Sequence, residues 1–247
     1  MTPSAPPPPE RKPHAVTDAA SRRPKALKIE QLLRLGERPG PLRLLEVGCG
    51  SGLIAHYFAM HPTLRCAVSA VDVHDNRQIR EGYDYQPVQG VRLPFESGSF
   101  DAVISNHVIE HVGDAAAQVE HLKEIRRVLK PDGVAYLAVP NRWMLKEPHY
   151  QLNFLSWLPR RLRSPYLRWR GKGDFYDCEP LELRQLERML DAASLRYRNI
   201  CIEGWRATFR IERPGRWSTR LLDRLPDALL RPLTPIIPTL IYRLERD

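Results

Sequence analysis

Apolar residues occur in short continuous blocks through the middle of the chain, and stretches with helical spacing separate these blocks. Helical spacing is found near 52–60 and 114–130. Alternation of strands and helices is typical of a parallel sheet with helices on both faces, so we expect a doubly wound α/β fold. The blocks predict strands near 42–47, 66–72, 85–89, 100–105 and 134–140.

The segments outside this core differ in composition. Residues 1–24 contain four consecutive prolines and few apolar side chains, which predicts a disordered tail. Residues 25–212 are expected to form the domain, with a long insertion at 141–178, and residues 213–247 a proline-broken amphipathic extension. The remaining elements predicted inside the domain are an entry helix at 25–35, a helix near 180–193 and strands near 196–203 and 205–212.

The first predicted strand ends in a loop with glycine at alternate positions, Glu-Val-Gly-Cys-Gly-Ser-Gly at 46–52. Glycine is needed where a backbone turns sharply or lets a ligand approach closely. A loop of this kind between a strand and a helix predicts a nucleotide site at the carboxyl edge of the sheet. Asp72 ends the second strand, twenty residues beyond Gly52, which is the spacing at which an acid binds both hydroxyls of a ribose.

Two classes of nucleotide fit this loop. A dinucleotide loop needs a Gly-x-Gly-x-x-Gly frame, which fails at Leu53 when counted from Gly48 but ends in Ala55 when counted from Gly50. A nicotinamide-dependent oxidoreductase therefore remains one hypothesis. Glu46 favours the other class, because its carboxylate would repel a pyrophosphate. S-adenosylmethionine carries an ammonium and a sulfonium group and no phosphate.

Five motifs follow one another along residues 40–140. They are Glu-Val-Gly-Cys-Gly-Ser-Gly at 46–52, Val-Asp-Val at 71–73, Leu-Pro-Phe at 93–95, Ser-Phe-Asp-Ala-Val-Ile-Ser-Asn-His at 99–107 and Val-Leu-Lys-Pro-Asp-Gly at 128–133. Together they resemble the class I S-adenosylmethionine-dependent methyltransferases, in the branch that modifies quinones, lipids and other small molecules. The resemblance implies a Rossmann-like, seven-stranded, mostly parallel sheet whose last strand is antiparallel. It also implies methylation of an oxygen or carbon atom of a small-molecule or lipid-like acceptor.

The resemblance also implies where S-adenosyl-L-methionine would bind. The glycine loop would wrap its methionine part, and Asp72 would bind its ribose. Gln89 stands where the family usually has an aspartate that reaches the adenine amino group, and its amide oxygen can accept the same hydrogen bond. The expected cofactor-binding residues are Glu46, Gly48, Cys49, Gly50, Gly52, Asp72, Val73, Gln89, Gly90 and Asn106.

Two histidines are candidate bases for a hydroxyl acceptor, because an imidazole with a pKa near ~6.5 can take its proton. His107 follows the fourth strand at the ligand edge, and His149 lies beside Pro148 in the insertion. The sequence does not decide between them. Residues 107–111 also fit His-x-x-Glu-His, a zinc protease pattern. Their position directly after a strand favours a cofactor-side loop with a structural His111, so no metal is expected.

The net charge of +9 bears on the partners of the protein. Between Trp157 and Gly173 there are six cations, no acid and three aromatic rings. Such a mixture suits a membrane surface, a nucleic acid or an anionic substrate. The apolar residues of the last segment favour peripheral membrane contact through 153–173 and 220–242, although they could equally pack on the domain or on a second subunit. A non-catalytic cofactor-binding adaptor and an RNA or protein methyltransferase therefore remain alternatives.

The sequence also predicts a cellular location. No apolar run reaches the roughly 18 residues of a membrane-spanning helix, and the N-terminus lacks the apolar segment of a secretory signal. The four cysteines are scattered, which is typical of a reducing compartment. We therefore expect a cytoplasmic protein, with at most a peripheral contact at the inner membrane face.

Overall fold

The computed structural model describes residues 19–147, 150–176 and 178–246. The strands are β1 (Leu42–Val47), β2 (Cys66–Asp72), β3 (Asp84–Pro87), β4 (Phe100–Asn106), β5 (Leu129–Pro140), β6 (Lys146–Glu147), β7 (Leu152–Asn153), β8 (Leu195–Asn199) and β9 (Thr239–Arg246). The helices are α1 (Ala19–Leu33), α2 (Leu53–Ala59), α3 (Ala115–Val128), α4 (Arg160–Trp169), α5 (Leu183–Ala192), α6 (Cys201–Glu212), α7 (Trp217–Arg224) and α8 (Asp227–Leu230).

Seven of the strands form one sheet in the order β3-β2-β1-β4-β5-β9-β8, and β6 and β7 form a separate small hairpin. Neighbouring strands are parallel except for β9, which runs antiparallel to both β5 and β8. The predicted Rossmann-like sheet with an antiparallel last strand is therefore confirmed. The strand order changes direction between β1 and β4, and ligands of open α/β sheets bind at such a point.

Helices cover both faces of the sheet. On one face, α1 and α2 pack through Ile29 and Phe58 against side chains that include Leu44 of β1. On the other face, α3 and α5 pack through Leu122 and Leu186 against side chains that include Leu45. Adjacent strand residues point to opposite faces, so β1 is buried from both sides and its carboxyl end is held firmly.

The last part of the sheet differs from the prediction. Residues 205–212 were expected to form a strand, but they belong to helix α6. The last strand, β9, instead comes from the segment expected to be an extension beyond the domain. Leu240, Tyr242 and Leu244 are fully buried in it. A short apolar run does not by itself distinguish a strand from a buried helix, and here packing against α1 and β9 favours the helix.

Two predicted boundaries also move. Helix α1 begins at Ala19, within the predicted disordered tail, while residues 1–18 of that tail lie outside the described residues. The strand predicted near 134–140 already begins at Leu129 and includes Pro131, and its pairing with β4 shifts register between Phe100 and Ala102. Pro24 therefore lies inside a helix and Pro131 inside a strand, although proline often ends such elements.

The insertion has a small core of its own, formed by Leu152, Leu155, Leu167, Tyr176 and Cys178. Most of its cations face solvent, but Arg163 is buried and its Nε donates to the backbone oxygen of Leu158 at 2.9 Å. No helix within the described ranges is long and apolar enough to cross a membrane.

Candidate cofactor site and acceptor side

The glycine loop lies at the carboxyl end of β1 and is tied to the end of β2. The N–H groups of Gly48 and Cys49 donate to the oxygen of Val71 at 2.8 and 3.2 Å. Gly48, Gly50 and Gly52 have φ values of +71°, +52° and +75°, in the left-handed region that favours glycine. The loop is thus a fixed turn that continues directly into α2.

The three glycines have different neighbours. A Cβ atom on Gly48 would overlap the side chain of Val108, and one on Gly52 would overlap the hydroxyl of Tyr83. A Cβ on Gly50 would meet no heavy atom within 4 Å. The protein's own packing therefore explains the first and third glycines, whereas the second borders open space.

Asp72 borders the same space. Its Oδ2 accepts a hydrogen bond from the N–H of Gly50 at 2.8 Å, and its Oδ1 accepts one from the N–H of His74 at 3.3 Å. The N–H of Val88 donates to the backbone oxygen of Asp72 at 3.0 Å. This bond brings the exposed Gln89 and Gly90 to the edge where Asp72 and the exposed Val73 lie. The structure thus gathers the predicted ribose and adenine contacts around Gly50.

Glu46 is placed differently from Asp72. Its side chain is buried, and its Oε2 accepts a hydrogen bond from the N–H of Ala55, in the first turn of α2, at 2.8 Å. Burial raises the pKa of Glu46 to about 8, while the Ala55 N–H and the Arg22 guanidinium oppose that rise. Cys49 is also buried. These two residues support the loop from within, so Cys49 can meet a ligand only through its backbone.

Asn106 and His107 follow β4, the strand next to β1. His107 has φ of +60°, and its N–H donates to the oxygen of Ala138 at 2.8 Å. Its Nδ1 lies 3.3 Å from Oε1 of Glu110, whose side chain is completely buried. Within the described ranges, neither carboxylate oxygen of Glu110 has a hydrogen-bond partner. The imidazole at the ligand edge therefore stands directly against a buried carboxylate.

The His-x-x-Glu-His pattern does not form a zinc site of the protease kind. Residues Ile109–His111 form a single 3₁₀ turn, so the two histidines do not share a helix face. Among the residues that the structure describes, no three His, Cys, Asp or Glu side chains are placed to hold a metal ion. His149, the other candidate base, lies outside the described residues.

A cavity of about 480 Å³ opens beside this turn. It lies between the turn after β4, the start of α3 and the insertion, so it adjoins His107 through Glu110. Its walls are polar and carry both signs of charge, and they include Glu110, Gln118, Arg142, Arg163, Glu179 and Leu181. The structure thus places a polar cavity beside the carboxyl end of β4.

Sequence reasoning missed three residues of this region: Tyr83, Val108 and Glu110. Tyr83 closes over Gly52, and Val108 packs against Gly48. Glu110 was noticed only as part of a metal-binding pattern. Its spacing of three residues from His107 gave no usable signal, because His107 has a positive φ and lies outside the 3₁₀ turn at Ile109–His111.

Comparisons with known proteins agree with this geometry. Residues 45–137 match the family model described as a methyltransferase domain. A ubiquinone biosynthesis O-methyltransferase of Caulobacter vibrioides is 34% identical over 130 residues, covering 46% of this chain and 49% of that protein. A probable tRNA methyltransferase 9B of Mus musculus is 30% identical over 122 residues, covering 49% of this chain and 25% of that protein.

A solved structure shows the same fold. Phosphoethanolamine N-methyltransferase 2 of Haemonchus contortus, in complex with S-adenosyl-L-methionine, superposes with a TM-score of 0.51 at 19% identity, covering 90% of this chain and 52% of that chain. The present chain spans about half the length of the ubiquinone biosynthesis relative. Residues 45–137 therefore form a methyltransferase domain, and the sheet has the fold of the S-adenosylmethionine-dependent enzyme in this comparison.

Proposed function

We propose that the protein transfers a methyl group from S-adenosyl-L-methionine to an oxygen or carbon atom of a small-molecule or lipid-like acceptor, with oxygen favoured. The observation that carries this proposal is the open space at Gly50, bordered by Asp72, inside a methyltransferase domain. Oxygen is favoured because the relative at 34% identity is named for O-methylation in ubiquinone biosynthesis.

The chain's own residues fit the cofactor. Asp72 has carboxylate lone pairs left for the two ribose hydroxyls after it accepts from Gly50 and His74. Gln89 can accept a hydrogen bond from an adenine amino group, and the half-buried Asn106 faces the same edge from β4. When bound, the cofactor supplies a methyl group on a sulfonium. The protein's part is to hold the acceptor in line with that group, and such alignment is worth effective molarities of about 10⁵–10⁸ M.

The cofactor proposal is tested by a matched pair of glycine variants. Gly50 and Gly40 both have positive φ, and a Cβ on either would meet no atom of the protein within 4 Å. Only Gly50 lies at the ligand edge, because Gly40 precedes β1 at the opposite edge. Gly50→Ala and Gly40→Ala should each lose about 1–2 kcal/mol of folding free energy. Only Gly50→Ala should weaken binding of S-adenosylhomocysteine in calorimetry, and equal affinity in both would contradict the proposal.

We propose His107 as the base when the acceptor is a hydroxyl. The Glu110 carboxylate against Nδ1 would orient the ring, which leaves Nε2 to take the acceptor's proton. His107→Gln should lower kcat by about 10²–10⁴-fold with little change in KM. His56→Gln, at the exposed side of α2, is the control. An unchanged kcat for His107→Gln would remove His107 from the mechanism and leave His149 as the candidate.

The acceptor class can be read from where the methyl label goes. Labelled methyl donor, protein and fractionated lysate should give label in the organic extract if the acceptor is lipid-like, or among soluble small molecules if it is not. Label in RNA would instead support the likeness to the mouse tRNA methyltransferase. Absence of label from every fraction, combined with tight S-adenosylhomocysteine binding, would support a non-catalytic adaptor.

We include a peripheral membrane contact through residues 153–173 and 220–242 in this proposal. Exposed apolar side chains support it in both segments, among them Phe154, Leu162 and Trp169 in the first and Leu221, Leu229 and Leu233 in the second. A lipid-like acceptor would then meet the enzyme where the acceptor itself resides.

A further inference from the structure

Two helices far apart in the sequence present the same kind of exposed face. Helix α4 exposes Trp169 to 76% and also Leu162, with Arg161 and Arg168 beside them. Helix α7 exposes Trp217 to 77% and also Leu221, with Arg220 and Arg224 beside them. Each face therefore combines one tryptophan, one leucine and two arginines.

The α7 face is continuous along the helix. Trp217, Arg220, Leu221 and Arg224 stand at positions i, i+3, i+4 and i+7, which lie on one side of a helix. Thr219 and Leu222 lie on the other side and are buried, Leu222 in a small cluster with Ile202 and Leu230. The helix is thus fixed through one side and turns its mixed apolar and cationic side outward.

The acids near α7 point away from that side. Asp223 pairs with Arg210 of α6 at 2.9 Å, and Asp227 pairs with Arg206 of α6 at 2.7 Å. Within the described ranges, Arg220 and Arg224 form no ion pair. The outward side of α7 therefore carries uncompensated positive charge. On α4, Glu179 pairs with Arg160 and Arg163, whereas Arg161 and Arg168 form no ion pair within the described ranges.

Both helices connect to the ligand edge of the sheet. Asn141, directly after β5, donates from its Nδ2 to the oxygens of Pro235 and Ile237, both at 2.8 Å. The same residue begins the insertion that carries α4. Between α7 and this anchor lie the exposed Leu229 and Leu233. The two chain segments that carry α4 and α7 are thus anchored to each other at the carboxyl end of β5.

We propose that the outer faces of α4 and α7, together with residues 229–236, form one contact surface for a lipid bilayer containing anionic lipid. Tryptophan settles at the headgroup level of a bilayer, and arginine is attracted to anionic headgroups while its stem lies along apolar surface. A second copy of the chain is a poorer occupant, because a two-fold contact places like faces together and would oppose the same arginines. The ligand edge would then face the membrane.

This inference deepens the proposed function, because it names the place from which a lipid-like acceptor reaches the site. Only the delivery of the acceptor rests on the proposed function, since binding of the surface to lipid does not require methyl transfer. Two faces on one rigid domain would also act together, because binding of the first raises the effective concentration of the second at the membrane.

The test is flotation of the full chain with phosphatidylcholine vesicles, with and without phosphatidylglycerol. The wild type should float only with the anionic vesicles, and less as salt rises. Arg220→Gln with Arg224→Gln should lower partitioning by about fivefold per arginine at low salt. Trp217→Ser with Leu221→Ser should lower it by about tenfold or more per residue and in a manner that salt affects little. Trp169→Ser with Leu162→Ser should act similarly.

The matched control removes one apolar and one cationic side chain at the opposite edge. Met60→Ser with Arg65→Gln alters exposed residues at the end of α2 and the start of β2. This variant should float like the wild type. An equal loss in the control, no flotation of the wild type, or binding to RNA that depends on the arginines but not on Trp217 would overturn the inference. The inference would also be overturned if sedimentation showed a dimer that the substitutions at Trp217 and Leu221 dissociate, while flotation with vesicles stays unchanged.

The methyltransferase proposal is followed separately in the same variants. S-adenosylhomocysteine affinity should be unchanged in all of them, because none of the altered residues touches the glycine loop. Lost flotation with retained affinity supports the membrane surface, and retained flotation with absent affinity in the wild type would reject the proposed function alone.

Discussion

The ligand edge of the sheet has two halves that are built in different ways. In the first half, the loop after β1 is held by the end of β2, and the bond from Gly50 to Asp72 joins residues 22 positions apart. In the second half, the end of β5 is held by the segment before β9, and the bond from Asn141 to Ile237 joins residues 96 positions apart. We name them the cofactor half and the acceptor half after the roles proposed above. The cofactor half is local in the chain, and the acceptor half is not.

The two halves also differ in whether they match the methyltransferase family model. The local half coincides with the part that matches the methyltransferase family model, residues 45–137. The remote half contains the insertion, α6 to α8 and β9, and lies outside that match. A cofactor site that is common to a family can be encoded in a short motif, whereas the acceptor side is assembled from segments that meet only after folding.

The comparison predicts that β9 is part of the core and that the exposed Leu229, before the strand, is not. Leu244 is fully buried in β9, whereas Leu229 is 63% exposed ten residues before the strand. Leu244→Ala should lower the free energy of unfolding by about 2–5 kcal/mol, because it leaves a cavity between sheet and helices. Leu229→Ala should change it by less than about 0.5 kcal/mol. Urea unfolding of both variants measures this, and equal effects would mean that β9 is not a core strand.

The sequence was sufficient for the local half for a physical reason. Strands β1, β2 and β4 are continuous apolar runs, buried from both faces, and the glycines between β1 and α2 identify the loop. For the remote half, the same signals were ambiguous. The apolar residues of α6 and β9 fit either a helix or a strand over a short window, and only their packing against α1 and β5 decides.

The site showed the same division. Asp72 and the position of Gly50 followed from the spacing of the motif, since the loop and the end of β2 are adjacent in any parallel pair. The burial of Glu46 was not predictable, because it depends on where α2 begins above β1. Glu110 beneath His107 depends on a 3₁₀ turn that no periodicity indicates.

A glycine pair sharpens the comparison within the local half. A Cβ on Gly48 would overlap Val108, so Gly48→Ala should lower the free energy of unfolding by about 2–4 kcal/mol through strain and overpacking. Gly48→Ala with Val108→Ala should recover part of this loss, because the second change removes the overlapping methyl groups. Thermal unfolding measures both. If the loss of stability in the double variant equalled the sum of the losses in the two single variants, contact with Val108 would not explain why glycine is required at position 48.

The buried acid predicts a pH dependence. Burial raises the pKa of Glu46 to about 8, from an ordinary value of 4.5. The folded state therefore holds a proton that the unfolded state releases as pH rises through this interval. This group lowers stability with rising pH, by about 1.4 kcal/mol per unit, until the folded pKa is passed.

Glu46→Gln removes that titration while its amide oxygen can still accept from Ala55. Relative to the wild type, the variant should gain about 2.3 kcal/mol of unfolding free energy between pH 6 and pH 8, because the slope flattens as the folded pKa is reached. Denaturant unfolding at several pH values measures the difference. Parallel pH profiles for the two proteins would show that Glu46 keeps an ordinary pKa and is not buried as described.

The smallest expected effect tests whether the two halves are independent. Asn141→Ala leaves two carbonyl oxygens without a side-chain donor and should lower the free energy of unfolding by about 2 kcal/mol. Faster amide hydrogen exchange should be confined to residues 231–238 and the start of the insertion.

Asn199→Ala, which removes an asparagine bond to the Tyr242 hydroxyl at the same edge, is the control and should leave those residues protected. The glycine loop is held by β1, by the end of β2 and by Tyr83 and Val108, and not by the segment that Asn141 anchors. S-adenosylhomocysteine affinity should therefore not change in either variant. A loss of affinity in Asn141→Ala as large as its loss of stability would show that the remote half also positions the cofactor, and the division between a local cofactor half and a remote acceptor half would then be wrong.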